Sequence, residues 1–193
     1  ALLAMPACWA LGARQGLAPA TLMSVFWLAP LLILAMARVA LRERVSRKVW
    51  VASTLASVGV FVMTGPHVSP DAALLAFPVG MALAFSVFLV LTRVLRGEPE
   101  QVGMMYLGAT ISLVLLPLMP GAWVMPRAPD LLVVFAIAFV SLGALLAMGR
   151  LTSASRLSRS APMAYLQIPF AMGIGWSFDQ QLPDWRSSGG LLV

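Results

Sequence analysis

The sequence predicts an all-α fold: a polytopic bundle of transmembrane helices. Three observations lead there. The 193 residues are 61% hydrophobic and only 10% charged, with a mean hydropathy of +0.93, whereas a soluble domain is about one-quarter charged. The apolar residues form long runs separated by short turns rich in Gly and Pro. The Lys and Arg residues gather on alternate turns. A soluble core of this size could not bury so much apolar surface; lipid can face it directly.

A helix needs about 20 apolar residues to cross the hydrocarbon layer, and backbone in lipid must satisfy its own hydrogen bonds, so such runs read as helices. In order, the chain predicts a partial helix ending near Ala13, then helices over about Leu17 to Ala40, Lys48 to Thr64 and Ala72 to Leu95. Further helices run over Val102 to Leu118, Leu131 to Gly149 and Ala161 to Phe178, and another begins after Trp185. Lys48 lengthens its short helix by snorkelling. The linkers Gly65-Pro66-His67-Val68-Ser69-Pro70 and Pro120 through Pro129 are turn formers, and neither holds a soluble domain. The chain opens on Ala1 with no basic n-region, which argues against a signal peptide. It closes on Gly190-Leu191-Leu192-Val193, which reads as the onset of a further helix. The expectation is a piece of a longer protein.

The formal charge of +6 would fit a nucleic-acid partner if the basic residues were interleaved with stacking aromatics. They are not; they sit in turns. Arg38, Arg42, Arg44, Arg47 and Lys48 follow one helix, Arg93 and Arg96 follow another, and Arg150, Arg156 and Arg159 a third. The intervening turns hold only Arg14, Arg127 and Arg186, a division of ten against three. Positive residues mark the cytoplasmic side, so turns 38–48, 93–96 and 150–159 are expected in the cytoplasm. The expected partner is the lipid bilayer, with no nucleic acid.

No Asp, Glu or Lys falls at the centre of a predicted helix. Glu43, Glu98, Glu100, Asp71, Asp130, Asp179 and Asp184 lie in turns or near helix ends. A charge at mid-bilayer costs at least about 2.5–3.5 kcal/mol and is retained for function. The sequence therefore displays no internal carboxylate for a proton relay and no acid pair for intramembrane proteolysis. It offers no phosphate loop and no His/Cys metal spacing; no cofactor or metal is expected. His67 reads as a solvated linker residue, and Cys8, the only cysteine, as a small packing residue.

Polar and aromatic side chains on helix faces remain. Thr21, Ser24 and Trp27 share one face, Tyr106 pairs with Thr110, and Met163 with Gln167. Tyr165, Met172 and Trp176 line another face, where Trp176 serves equally well as an interfacial anchor. Packing accounts for Thr21, Ser24 and Thr110. For Trp27 and Gln167, packing and cavity lining stand even, since a mid-helix amide needs partners that a neighbouring helix or a watery cavity can supply. Pro30 and Pro169 lie inside helices, where each removes a hydrogen bond and frees a carbonyl; interrupted helices in matching halves point to a transporter's binding site. Ala72, Ala76, Gly80 and Ala84 form a small-residue stripe, and Ala52/Ala56, Ser53/Ser57 and Ala171/Gly175 are shorter pairs of the same kind. Such spacing lets helices approach closely.

Several motifs in order carry a family resemblance. Gly16-Leu17-Ala18-Pro19-Ala20, Ala29-Pro30-Leu31 and Arg42-Glu43-Arg44-Val45-Ser46 lead into a helix ending Gly59-Val60. Later come Leu157-Ser158-Arg159-Ser160-Ala161-Pro162, Tyr165-Leu166-Gln167, Gly175-Trp176-Ser177-Phe178, Leu182-Pro183-Asp184-Trp185 and Gly189-Gly190. Together they resemble the EamA family of the drug/metabolite transporter superfamily. The resemblance implies ten helices in two inverted five-helix repeats, here truncated, with both termini cytoplasmic. Residues 1–66 would end the first repeat, with part of helix three and helices four and five. Residues 67–193 would hold the second, from helix six to the start of helix ten. The chain departs from the family pattern at Asp179-Gln180-Gln181, where Gly and then an acidic residue is usual.

The resemblance implies a carrier of small metabolites, an exporter working by alternating access in a bacterial inner membrane, and not an enzyme. Its partner would be a small-molecule substrate, and a homodimer stays open. Trp27, Tyr106, Tyr165 and Gln167 are the cavity-lining candidates, with Pro30 and Pro169 as helix interruptions. An intramembrane lipid-modifying enzyme and a non-transporting membrane scaffold remain as alternatives.

Overall fold

The computed structural model describes residues 3–64, 72–122, 125–170 and 173. Among them every regular element is helical. The linker containing His67, the residues Met172 and Trp176, and the helix expected after Trp185 lie outside the described residues.

Nine α-helices are described: α1 (Ala4–Arg14), α2 (Pro19–Phe26), α3 (Ala29–Ala40), α4 (Arg47–Thr64), α5 (Ala76–Val94), α6 (Glu100–Leu115), α7 (Met119–Ala122), α8 (Ala128–Ala154) and α9 (Leu157–Ser160). Among the described residues, three stretches are long and apolar enough to cross a membrane: Pro19–Ala40, Ala73–Val94 and Ala128–Ala154. The contacts divide the chain into two compact units. One comprises Ala1–Leu91 with Ser155–Val193, the other Thr92–Ala154. The first unit thus draws on both of the expected repeats.

In the first unit, α1 stops where Gly16 enters the left-handed region at φ 84°. The Gly16 N–H returns to the Ala13 carbonyl at 3.0 Å and the Leu17 N–H to the Gly12 carbonyl at 3.1 Å, the two bonds of a glycine-closed helix end. Ala18 is then extended, as the residue before a proline prefers, and Pro19 opens α2, where its missing N–H costs nothing. Leu17, Leu22, Phe26, Ala29, Met81 and Ala82 form a buried core, lined by Met5, Cys8, Trp9 and Phe77 among others. Gly12 is buried at the meeting of α1 with this core. A Cβ there would lie 2.9 Å from Leu22 Cδ2 and 3.3 Å from Phe77 Cβ.

The expected helix Leu17 to Ala40 is divided. α2 ends at Phe26 and α3 starts at Ala29, with Trp27 and Leu28 forming a turn. The break sits ahead of Pro30, which has no N–H to offer the Phe26 carbonyl and is fully buried in the first turn of α3.

α4 buries Ser53, Ser57 and Val60 and exposes Val51, Leu55, Val58, Phe61 and Val62. This is inverted relative to a water-soluble helix and fits a helix with small polar residues inside and lipid outside. Of the two small-residue pairs expected in this helix, the serines are buried while Ala52 is exposed.

The expected helix from Ala72 begins as a 3-10 segment, Ala72–Leu75, and becomes α-helical at Ala76. The change of pitch takes Ala72 out of the fourfold spacing of the small-residue stripe. Ala76 is exposed, and the buried face of α5 is instead Pro78, Met81, Ala82, Ser86, Leu89 and Val90. Gly80 does make a close approach, with a Cβ there falling 3.2 Å from Cys8 Sγ on α1.

In the second unit, Pro99 caps the start of α6. Pro117 lacks an N–H, and the helix tightens into a 3-10 turn over Leu116–Leu118. With that turn the rod reaches about 30 Å, the thickness of the hydrocarbon layer. Part of the expected linker from Pro120 to Pro129 is helical: α7 covers Met119–Ala122 and α8 begins at Ala128. Asp130 Oδ2 accepts the Arg127 N–H at 3.2 Å, the side chain reaching back to satisfy a donor that the helix start leaves open. α8 is therefore 27 residues long, not the shorter Leu131 to Gly149. It is apolar on every side, and Leu132, Phe135, Ile137, Phe139 and Val140 are all exposed. Water would oppose such a surface; lipid accommodates it.

Candidate functional site: a hydroxyl chain at a broken helix

Within the first unit, α2 packs on α4, and α3 packs on α4, on α9 and on the 3-10 segment Ala161–Leu166, which also meets α4. The break between α2 and α3 lies in this neighbourhood. In an unbroken helix the Leu31 N–H would bond to the Trp27 carbonyl. Here it goes to the Leu28 carbonyl at 3.0 Å, which releases the Trp27 oxygen. Tyr165 takes up that oxygen: its hydroxyl donates to the Trp27 carbonyl at 3.1 Å. The two rings lie nearby, with centroids 6.0 Å apart, and Phe26 packs edge-on to Trp27 and tilted against Phe85.

The chain of hydroxyls continues into α4. Ser57 Oγ lies 2.6 Å from Tyr165 Oη and 2.9 Å from the Ser53 carbonyl. Ser57 and Tyr165 carry one hydroxyl proton each. Three contacts (Ser57 to Ser53, Ser57 to Tyr165, Tyr165 to Trp27) each call for one. The network is one proton short. One helical turn from Ser57, on the same face, Ser53 Oγ is fully buried with no hydrogen-bond partner. An unsatisfied buried hydroxyl costs about 1–3 kcal/mol.

Of the cavity candidates, Trp27 and Tyr165 are thus brought into contact, both half-buried. Gln167 follows the 3-10 segment, and its side chain is exposed. Because Ala161–Leu166 is 3-10 and not α-helical, Gln167 loses the register expected with Met163. Pro169 is exposed in the helical residues 167–170. Tyr106 belongs to the second unit and is 67% exposed. Its partner Thr110 donates to the Tyr106 backbone carbonyl at 2.7 Å, a local helix bond. Thr21 and Ser24 are buried, and Ser24 likewise bonds back to the Ala20 carbonyl at 2.6 Å. Ser86 reaches the start of α3 from α5: its Oγ donates to the Ala82 carbonyl at 2.7 Å and lies 3.3 Å from the Ala29 carbonyl.

Sequence reasoning passed over Ser53 and Ser57 as packing residues, although a buried serine pair in a membrane helix carries polar groups that need partners. It also left Glu43 as a loop charge. α3 ends with Arg42 in the left-handed region at φ 52°, and the Glu43 N–H turns back to the Ala37 carbonyl at 3.1 Å. The Glu43 carboxylate accepts the backbone N–H groups of Leu157 at 3.2 Å and Ser158 at 2.9 Å. An anion thereby closes the N-terminus of α9, where open donors and the helix dipole both favour it. In the second unit a cation closes a C-terminus. Arg93 Nη1 donates to the carbonyls of Thr152 at 2.9 Å and Ser153 at 2.6 Å at the end of α8, again the favourable sign.

Among the described residues, no three His, Cys, Asp or Glu side chains gather in a way that would hold a metal ion. No family model matches the chain, and no curated protein or solved structure matches it.

Proposed function

We propose that this chain is part of a carrier of small metabolites, an exporter that works by alternating access between two inverted five-helix repeats in a bacterial inner membrane. The observation that carries the reading is the broken helix at Trp27-Leu28, whose released carbonyl is held by Tyr165 beside the buried hydroxyls of α4. Irregular backbone at membrane depth is tolerated where protein buries it or where it lines a cavity, and discontinuous helices mark substrate sites in transporters. The aromatic pair Trp27 and Tyr165 and the hydroxyls of Ser53 and Ser57 form the substrate wall in this reading. The resemblance to the EamA family adds direction and topology: Arg-rich turns 38–48, 93–96 and 150–159 lie in the cytoplasm.

Two contacts support that topology within the separate units. Glu43, in the first arginine turn, ties to Leu157 and Ser158 in the third. Arg93, in the second, ties to Thr152 and Ser153.

The test is a comparison of metabolites released by cells that express the full-length gene product and by cells with empty vector. A solute that accumulates outside only with the protein supports the carrier. Equal release, with the protein present in the membrane, leaves a scaffold role in its place. A chemically altered lipid in the expressing cells would point to an enzyme.

A further inference from the structure

We infer that the hydroxyl chain at the α2–α3 break is the specificity element of the carrier, and that it selects uncharged solutes bearing a hydroxyl or amide group. The inference rests on the carrier reading and names its substrate class.

Two independent shortfalls meet on one face of α4. Three oxygen–oxygen contacts join Ser53, Ser57, Tyr165 and Trp27, and two protons serve them. One contact always lacks a donor. Next to them, Ser53 Oγ is fully buried and bonds to nothing. It has a proton to give and lone pairs to fill, and residues four apart on a helix have Cβ atoms about 6 Å apart. A solute group that both donates and accepts answers both shortfalls at once. It donates to the Trp27 carbonyl, which frees the Tyr165 hydroxyl to donate to Ser57, and it accepts from Ser53. Hydroxyl and amide groups do this; a carboxylate only accepts and a quaternary ammonium does neither.

Charge points the same way. None of the four residues is acidic or basic, and among the described residues α2, the α4 segment after Lys48 and the stretch 161–170 contain no Asp, Glu, Lys or Arg. An ion here would be uncompensated in a low-dielectric setting, which is strongly unfavourable. The rings of Trp27 and Tyr165 then supply apolar area for the carbon skeleton of a neutral solute, as pocket walls commonly do.

The experiment uses the purified full-length protein and reads its thermal unfolding midpoint. The probes are uncharged polyols and amides (glycerol, erythritol, acetamide, malonamide), with acetate and tetramethylammonium as the charged controls. At least one neutral probe is expected to raise the midpoint by about 2 °C or more at saturation, and the charged controls to leave it in place. Ser53→Ala removes an unsatisfied hydroxyl, so the unliganded variant is expected to unfold at the wild-type temperature or higher while losing the probe-induced shift. Ser57→Ala is expected to lose it too. A shift from the charged controls alone, a shift retained in both variants, or silence of the whole neutral panel overturns the inference. The carrier reading fails separately: neutral probes that bind but solutes that are never released would refute transport and leave the binding site. Release of charged solutes only would refute the substrate class and leave the carrier.

Discussion

The Tyr165 hydroxyl holds the Trp27 backbone carbonyl at 3.1 Å, across 138 positions of sequence. Pro30 breaks a helix, the break releases a carbonyl, and a tyrosine from the far end of the chain takes it up. Tyr165→Phe removes that donor and keeps the ring. The Trp27 oxygen would then lose its partner in a part-buried setting, a loss of about 1 kcal/mol, read as a lowered unfolding midpoint. Tyr165→Trp would not restore it, because the indole N–H sits elsewhere.

Glu43 gives a second prediction. Its carboxylate receives two backbone N–H groups at the start of α9, and Glu43→Gln keeps the shape but loses the charge. The expected cost is about 1–2 kcal/mol, measured by thermal or denaturant unfolding of the purified protein. The neighbouring Arg42 stands at φ 52°, a conformation costing a non-glycine residue about 1–2 kcal/mol. Arg42→Gly should therefore leave stability unchanged or raise it. A marked loss in Arg42→Gly together with no loss in Glu43→Gln would refute this account of the turn.

Two glycines should answer differently to the same substitution. Gly12→Ala places a methyl 2.9 Å from Leu22 Cδ2 and 3.3 Å from Phe77 Cβ, and Leu22 is fully buried with nowhere to retreat. Overpacking of this kind costs about 1–3 kcal/mol. Gly80→Ala meets only Cys8 Sγ, at 3.2 Å, on a half-buried side chain, so its effect should stay within about 0.5 kcal/mol. Gly80→Leu should lower folded yield. Equal destabilisation by the two alanines would contradict the packing described.

These cases show where the sequence was legible. Local chemistry was: Gly16 and Pro19 mark a helix end and the next start, and Pro30 marks the break. The all-helical fold follows from the apolar runs. Pairings between distant elements were not. Tyr165 and Trp27 were both candidates, but nothing local says that one holds the other's carbonyl. Ala52/Ala56 and Ser53/Ser57 have equal spacing, and only tertiary packing decides that the serines turn inward. The stripe from Ala72 to Ala84 assumed one continuous α-helix, and the 3-10 start at Ala72–Leu75 takes its first member out of register. Glu43 looked like a loop charge because its partners are backbone groups 114 and 115 positions away, and backbone donors leave no trace in a sequence.

The orientation makes a further prediction. In the full-length protein with Cys8 and every other native cysteine replaced by Ala, single cysteines at Arg44 and at Arg127 report the two sides of the membrane. In intact cells an impermeant thiol reagent should label position 127 and leave position 44 unlabelled until the membrane is opened. The reverse pattern would invert the topology.

The central claim is that solutes pass by the hydroxyl chain at the broken helix. Its most direct test is the release assay on cells expressing the full-length protein, run with wild type and with Ser57→Ala at matched membrane levels. The account predicts a solute released by the wild type and reduced at least about tenfold in the variant, as the loss of a buried hydrogen bond of 1.4 kcal/mol or more would give. Equal release by both proteins would contradict it.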